Sequence, residues 1–146
     1  MKLSEVLFEK GTRVYTAHEI EPVLSAVETL VSNNIGALAI LNASGELTGI
    51  FSERDMLRLI SKNAGQLAKL TVGEFMTRDV VTGLPEDTVD HAMSKMTERR
   101  IRHLPILHHE KLIGMISIGD LVKAQLEETE HHKQQMENVV LGKYPA

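Results

Sequence analysis

Residues 14–60 return nearly in step as residues 80–125, so this chain carries one structural unit twice. At an offset of 66, Val14 falls on Val80, Thr16 on Thr82, Val23 on Val89, Ala26 on Ala92, Leu30 on Met96, Ile35 on Ile101, Leu38 on Leu104 and Ile40 on Ile106. A single deletion then changes the offset to 65, and Leu47 falls on Leu112, Gly49 on Gly114, Ser52 on Ser117 and Asp55 on Asp120. The deletion separates NASGE (42–46) from HHEK (108–111), where a loop absorbs a change of length cheaply. Two copies at so long a period exclude a solenoid, which stacks many short ones. The duplication specifies a tandem pair.

Each copy reads as strand, helix, strand, strand, helix. RVYT (13–16) and DVVTG (79–83) are short β-branched runs. Val23, Ala26, Val27, Leu30 and Val31 recur at helical spacing, as do Val89, Ala92, Met93 and Met96. ALAIL (37–41) and LPIL (104–107) read as buried strands, joined by polar turns to LTGIF (47–51) and LIGMI (112–116). Ser52 and Ser117 are placed to cap helices with Leu57, Ile60, Leu121 and Val122 on their inner faces. Gly65 is the expected stop of the first of these. Beyond Leu126 the polar EETEHHKQQMENVV extends the last helix outward, solvated or against another chain.

The duplicated unit leaves room for one compact module in 146 residues, and 42% hydrophobic residues supply its core. Without cysteine there is no disulfide framework, thiol catalysis or Cys-based zinc site. A net charge of -4, three Phe, two Tyr and no Trp argue against nucleic acid as a partner. No apolar run approaches the ~18 residues of a membrane helix, and the N-terminus lacks a signal peptide's apolar region. The expectation is a soluble, cytoplasmic protein.

The sharpest chemical signal is Gly49-Ile50-Phe51-Ser52-Glu53-Arg54-Asp55, echoed by Gly114-Met115-Ile116-Ser117-Ile118-Gly119-Asp120. Ser-x-x-Asp at a strand-to-helix junction is a capping-box variant that satisfies orphan N–H groups. The same geometry suits a nucleotide: a helix N-terminus receives phosphate, and a carboxylate accepts hydrogen bonds from vicinal ribose hydroxyls. Both readings hold together. Arg102, directly before a buried strand, is a phosphate candidate because a guanidinium forks onto phosphate oxygens. Arg99 and Arg100 read as solvated cations at a helix C-terminus, and Met93 and Met96 as core. His131 and His132 follow Glu127 and Glu128 by four residues without a third ligand in sight, so no metal is expected; His108 and His109 fall in a turn. No nucleophile elbow, HExxH or P-loop is present, so no catalytic set emerges and the chain is read as a non-enzyme.

The element order, the tandem copies, G-h-h-S-x-x-D closing each copy, GEFMTRDVVT (73–82) and RIRHLPIL (100–107) together resemble a pair of CBS (cystathionine β-synthase) domains over residues 3–126. The likeness is to small stand-alone bacterial CBS-pair proteins. It implies an α+β fold of two pseudo-symmetric β-α-β-β-α CBS repeats forming one compact module. Its expected divisions are repeat 1 at 3–63, a linker at 64–78, repeat 2 at 79–126 and a helical tail at 127–146. It also implies a regulatory signal-transduction module that binds AMP, ADP, ATP, S-adenosylmethionine or NAD between the repeats, forms a homodimer and reports to an effector protein the sequence does not identify. By position, Asp55 and Asp120 would hold ribose hydroxyls, and Ser52 and Ser117 would sit near phosphates. Thr16, Thr82 and the backbone around Ala37–Ala39 and Arg102–Pro105 (Ala37, Ala39, Arg102, His103, Pro105) would border the adenine. The copies differ where it matters: Asn33-Asn34-Ile35-Gly36-Ala37 stands against Arg99-Arg100-Ile101-Arg102-His103, and Arg54 against Gly119. The two sites are therefore expected to be unequal. The alternative is a nucleotide-independent, homo-oligomeric interaction module.

Overall fold

The computed structural model describes residues 1–11, 13–63 and 66–140, so the expected helix stop at Gly65 and the last six residues lie outside the described residues. In chain order the elements are α1 (Leu3–Lys10), β1 (Thr16–His18), α2 (Val23–Asn33), β2 (Ala37–Leu41), β3 (Leu47–Ser52), α3 (Glu53–Asn63) and the single turn α4 (Val72–Phe75). They continue with α5 (Val89–Arg99), β4 (His103–His108), β5 (Lys111–Ser117) and α6 (Ile118–Val140). The α+β repeat pair is the fold.

The duplication extends to backbone detail. In the first antiparallel hairpin Ala37 faces Ser52 and Ala39 faces Ile50; in the second His103 faces Ser117 and Pro105 faces Met115. Both hairpins shift register at the matching place, Ile40/Leu41 and Ile106/Leu107. Helices α2 and α5 each end on a left-handed residue, Asn34 at φ 51 and Arg100 at φ 56. Asparagine visits that region readily and arginine at a cost, so the turn is dictated by the strand that must follow.

The first strands depart from expectation. β1 begins at Thr16 instead of ending there, and pairs parallel with β2 through Thr16–Ala39, Ala17–Ile40 and His18–Leu41. Residues 79–83 form no strand; a lone parallel bridge from Gly83 to Ile106 takes its place. The reason lies in one residue. In the first repeat Ala39 donates its N–H to the Tyr15 carbonyl at 3.3 Å. Its counterpart is Pro105, which has no N–H to give to Val81, so the ladder survives only where Gly83 donates to the Pro105 carbonyl (2.9 Å) and accepts from Leu107 (3.0 Å).

Each sheet has its own core, and the connecting segments are exchanged between them. Leu3, Val6 and Leu7 of α1 join Val89, Met96, Leu104, Ile106, Ile116 and Leu121 of the second repeat. Val72 and Met76 of the connecting segment join Val23, Leu30, Leu38, Ile40, Phe51 and Leu59 of the first. The backbone bonds match: Leu3 N–H to Asp87 O and Val89 N–H to Met1 O in one case, Val72 N–H to Glu21 O and Val23 N–H to Leu70 O in the other. The start of the chain, residues 3–10, thus packs on the second repeat.

Helix faces need a second correction. Leu57, Ile60 and Val122 are exposed, at 65%, 41% and 42%, and so is Val31; the residues turned inward are Asp55, Leu59, Leu121 and Ala124. The Ser-x-x-Asp cap sets the phase of α3, because an inward Asp55 puts Leu59, one turn on, in the core. Beyond Leu126, α6 continues to Val140 with Met136, Val139 and Val140 exposed. Among the described residues no helix is long and apolar enough to cross a membrane.

Candidate functional site

At both strand-to-helix junctions the carboxylate folds back on its own cap. Asp55 Oδ2 accepts from the Ser52 N–H (2.9 Å) and Oγ (3.1 Å), and the Asp55 N–H donates to Ser52 Oγ. Asp120 Oδ2 accepts from the Ser117 N–H (2.8 Å), and the Asp120 N–H donates to Ser117 Oγ (3.1 Å). The first N–H of each helix is met by the preceding repeat strand's approach: Glu53 N–H donates to Gly36 O and Ile118 N–H to Arg102 O. Capping is therefore present at both junctions.

A cleft of about 400 Å³ opens at the first junction. One wall is Ser52, Glu53, Arg54, Asp55 and Arg58 of α3; the second is Thr77, Asp79, Val80 and Val81; the third is Arg100, Ile101, Arg102 and His103 from the other repeat. Val80 and Val81 can line it because the missing third strand leaves them out of a ladder. Four guanidinium groups face three carboxylates here, a balance suited to an anion. Asp55 is buried, and its second oxygen, Oδ1, accepts from the Thr77 hydroxyl at 2.9 Å. A carboxylate has about four lone-pair positions, so a ligand hydroxyl still finds one.

His103 leans on Gly36: a Cβ added there would stand 3.1 Å from its Cε1 and Nε2. Burial, then the Lys10 ammonium, pushes its pKa below the ordinary histidine value, against the opposing pull of Glu53 and Asp120. At neutral pH the imidazole is uncharged, with one nitrogen to donate and one to accept.

Of the residues singled out in the sequence, the cleft brings together Ser52, Arg54, Asp55, Arg102 and His103. The others do not line it. Ala37, Ala39 and Pro105 are buried in their strands, and Thr16 is exposed at the start of β1. The Thr82 carbonyl accepts from Lys95 Nζ at 3.0 Å. Ser117 and Asp120 lie at the second junction, where Lys10 Nζ sits 2.6 Å from Asp120 Oδ2. Sequence reasoning missed Arg58, which helical spacing from Asp55 would have found, and Thr77, whose segment carries no spacing signal. Arg100, read as a solvated helix end, also faces the cleft. His131 bonds along its helix to Gln135, and among the described residues no group of three or more His, Asp or Glu is placed to hold a metal.

Comparison with known proteins agrees with the fold. The model of the CBS domain matches residues 10–62 and 72–127. The CBS domain-containing protein CBSX3, mitochondrial, of Arabidopsis thaliana is 36% identical over 85% of this chain and 62% of its own length. The chain spans less than two thirds of the first curated relatives it matches. The crystal structure of the CBS-domain containing protein ATU1752 from Agrobacterium tumefaciens superposes with a TM-score of 0.81, at 35% identity, over 85% of this chain and 92% of that one. The CBS domain pair of protein MJ0100, solved in complex with 5'-methylthioadenosine and S-adenosyl-L-methionine, gives a TM-score of 0.78 at 26% identity, over 88% and 98%.

Proposed function

The chain belongs to the CBS-domain family, and we propose that it is a non-catalytic regulatory module that binds an adenine nucleotide (AMP, ADP, ATP or NAD) in the cleft between its repeats and reports ligand state to a partner protein. One observation carries the reading: the cleft joins Ser52 and Asp55 of one repeat to Arg102 and His103 of the other, beside Arg54, Arg58 and Arg100. A carboxylate for ribose hydroxyls and guanidiniums for phosphate are what a nucleotide requires. The relative solved with S-adenosyl-L-methionine and 5'-methylthioadenosine supports an adenosyl ligand. A cytoplasmic location belongs to the same reading.

Titration calorimetry with adenosine, AMP, ATP, NAD and S-adenosylmethionine tests it. Asp55→Asn keeps an acceptor for the Ser52 cap but removes the charge. Losing a charged hydrogen bond costs ~1.5–3 kcal/mol, so AMP affinity should fall about tenfold or more. Unchanged affinity would reduce Asp55 to a cap. Failure of all five compounds to bind would leave the interaction-module reading in its place.

Exposed Leu57 and Ile60 on α3 and Val122 and Leu126 on α6 support a homodimer, because these apolar stripes have no cover within the chain. Light scattering at micromolar concentration should give twice the 16.2 kDa chain mass; a monomer refutes the dimer.

A further inference from the structure

The two Ser-x-x-Asp junctions share register, caps and backbone, yet different groups close them. At the first, Thr77 makes two bonds: its N–H donates to the Ile50 carbonyl (2.8 Å) and its hydroxyl to Asp55 Oδ1 (2.9 Å). At the second, one ammonium makes both equivalents. Lys10 Nζ donates to the carbonyl of Met115, the counterpart of Ile50, and to Asp120 Oδ2, each at 2.6 Å. Lys10 ends α1, whose Leu3, Val6 and Leu7 are buried in the second repeat's core. Leu7 lies so close to Gly114 that a Cβ there would come within 2.5 Å of it. The ammonium is thus delivered by a docked strut, not by a free surface chain.

We infer that Lys10 is an internal occupant of the second repeat's ribose position, and that it limits each chain to one adenosine site. The inference rests on the reading of the first cleft as a nucleotide site. Asp55 meets a neutral hydroxyl and, 4.0 Å away, the largely exposed Arg58 guanidinium, which leave it room for a ligand, whereas the Lys10 ammonium lies 2.6 Å from Asp120, satisfies its charge and stands where ribose hydroxyls would come. A ribose diol would also bond the carboxylate, but it brings no positive charge to replace the ion pair it would break, so it does not displace the ammonium. Removing the ammonium while keeping the aliphatic stem should expose a second site.

The test is AMP stoichiometry in wild type, Lys10→Met and Lys10→Arg. Expected values are one AMP per chain for wild type and Lys10→Arg, and two for Lys10→Met, falling back to one when Asp120→Asn is added. One site in both wild type and Lys10→Met overturns this inference and leaves the first cleft intact. Two sites in wild type overturn it as well. No AMP bound by wild type overturns the nucleotide reading and this inference with it. A second readout needs no ligand. Burial raises the Asp120 pKa, but the bonds from Lys10 and Ser117 outweigh it and hold the carboxyl below its ordinary value. In Lys10→Met its titration, followed by carbon NMR, should move to higher pH; an unmoved titration shows that Lys10 does not hold Asp120 in solution, and overturns the inference.

Discussion

Shortening Leu7 to alanine is expected to destabilise the protein by about 2–5 kcal/mol, the usual range for a buried leucine truncated in a core. Leu7 is 3% exposed and lies across the second sheet at Gly114, with Leu3 and Val6 beside it. No neighbouring element collapses easily into the space, because α1 is pinned at its start by Leu3 N–H to Asp87 O and Ser4 N–H to Pro85 O, each at 2.9 Å. In urea the midpoint should fall with the slope unchanged, since the surface exposed on unfolding is nearly the same. The control is its neighbour Phe8, which is 89% exposed. Phe8→Ala should stay within about 0.5 kcal/mol of wild type. Equal effects of the two substitutions would mean that α1 is not docked on the second repeat.

That docking is the part of the fold least legible in the sequence. Leu3, Val6 and Leu7 have helical spacing, and periodicity shows that a face is buried without showing against what. Nothing local tells residues 3–10 to pack on the second repeat and not on the first. The pairing becomes visible only when the exchanged backbone bonds at Leu3 and Val72 are compared. The hairpins, by contrast, were readable almost to the residue, because alternation and a two-copy comparison constrain register twice over. The strand expected at 79–83 failed for a reason the sequence did contain. Pro105 cannot donate to a neighbour, and the β-branched run Val80-Val81-Thr82 suggested a strand regardless. The inner face of α3 was misphased, and that of α6 was right at Leu121 but not at Val122, because hydrophobic spacing alone does not place the first turn. The cap does.

The candidate site was legible by halves. Ser52, Asp55, Arg54, Arg102 and His103 could be named because each sits beside a repeated motif or a contrast between the copies. Thr77 could not, since a lone threonine in a connecting segment has no pattern. Nor could the inequality of Asp55 and Asp120 be traced to its cause. Their motifs read alike, and the residue that separates them, Lys10, is 110 positions from Asp120.

Replacing Arg54 and Arg102 together by alanine should weaken ATP binding about a hundredfold at low salt, roughly tenfold for each guanidinium lost, or about 1.4 kcal/mol each. Among the described residues neither side chain makes an ion pair or hydrogen bond within the chain, and both are exposed, so the fold should lose little. They come from opposite repeats, Arg54 where the second has Gly119 and Arg102 where the first has Gly36. A single anion between them joins the two halves of the molecule, which is how phosphate content would be felt by both repeats. The loss should be smaller for AMP and absent for adenosine, which brings no charge. It should also shrink in salt, because screening acts over ~8–10 Å at physiological ionic strength and these groups face solvent. Calorimetry of the double variant with adenosine, AMP and ATP at two salt concentrations decides the matter. An equal loss for all three, insensitive to salt, would place the arginines in the support of the base pocket and remove phosphate from what the cleft reads.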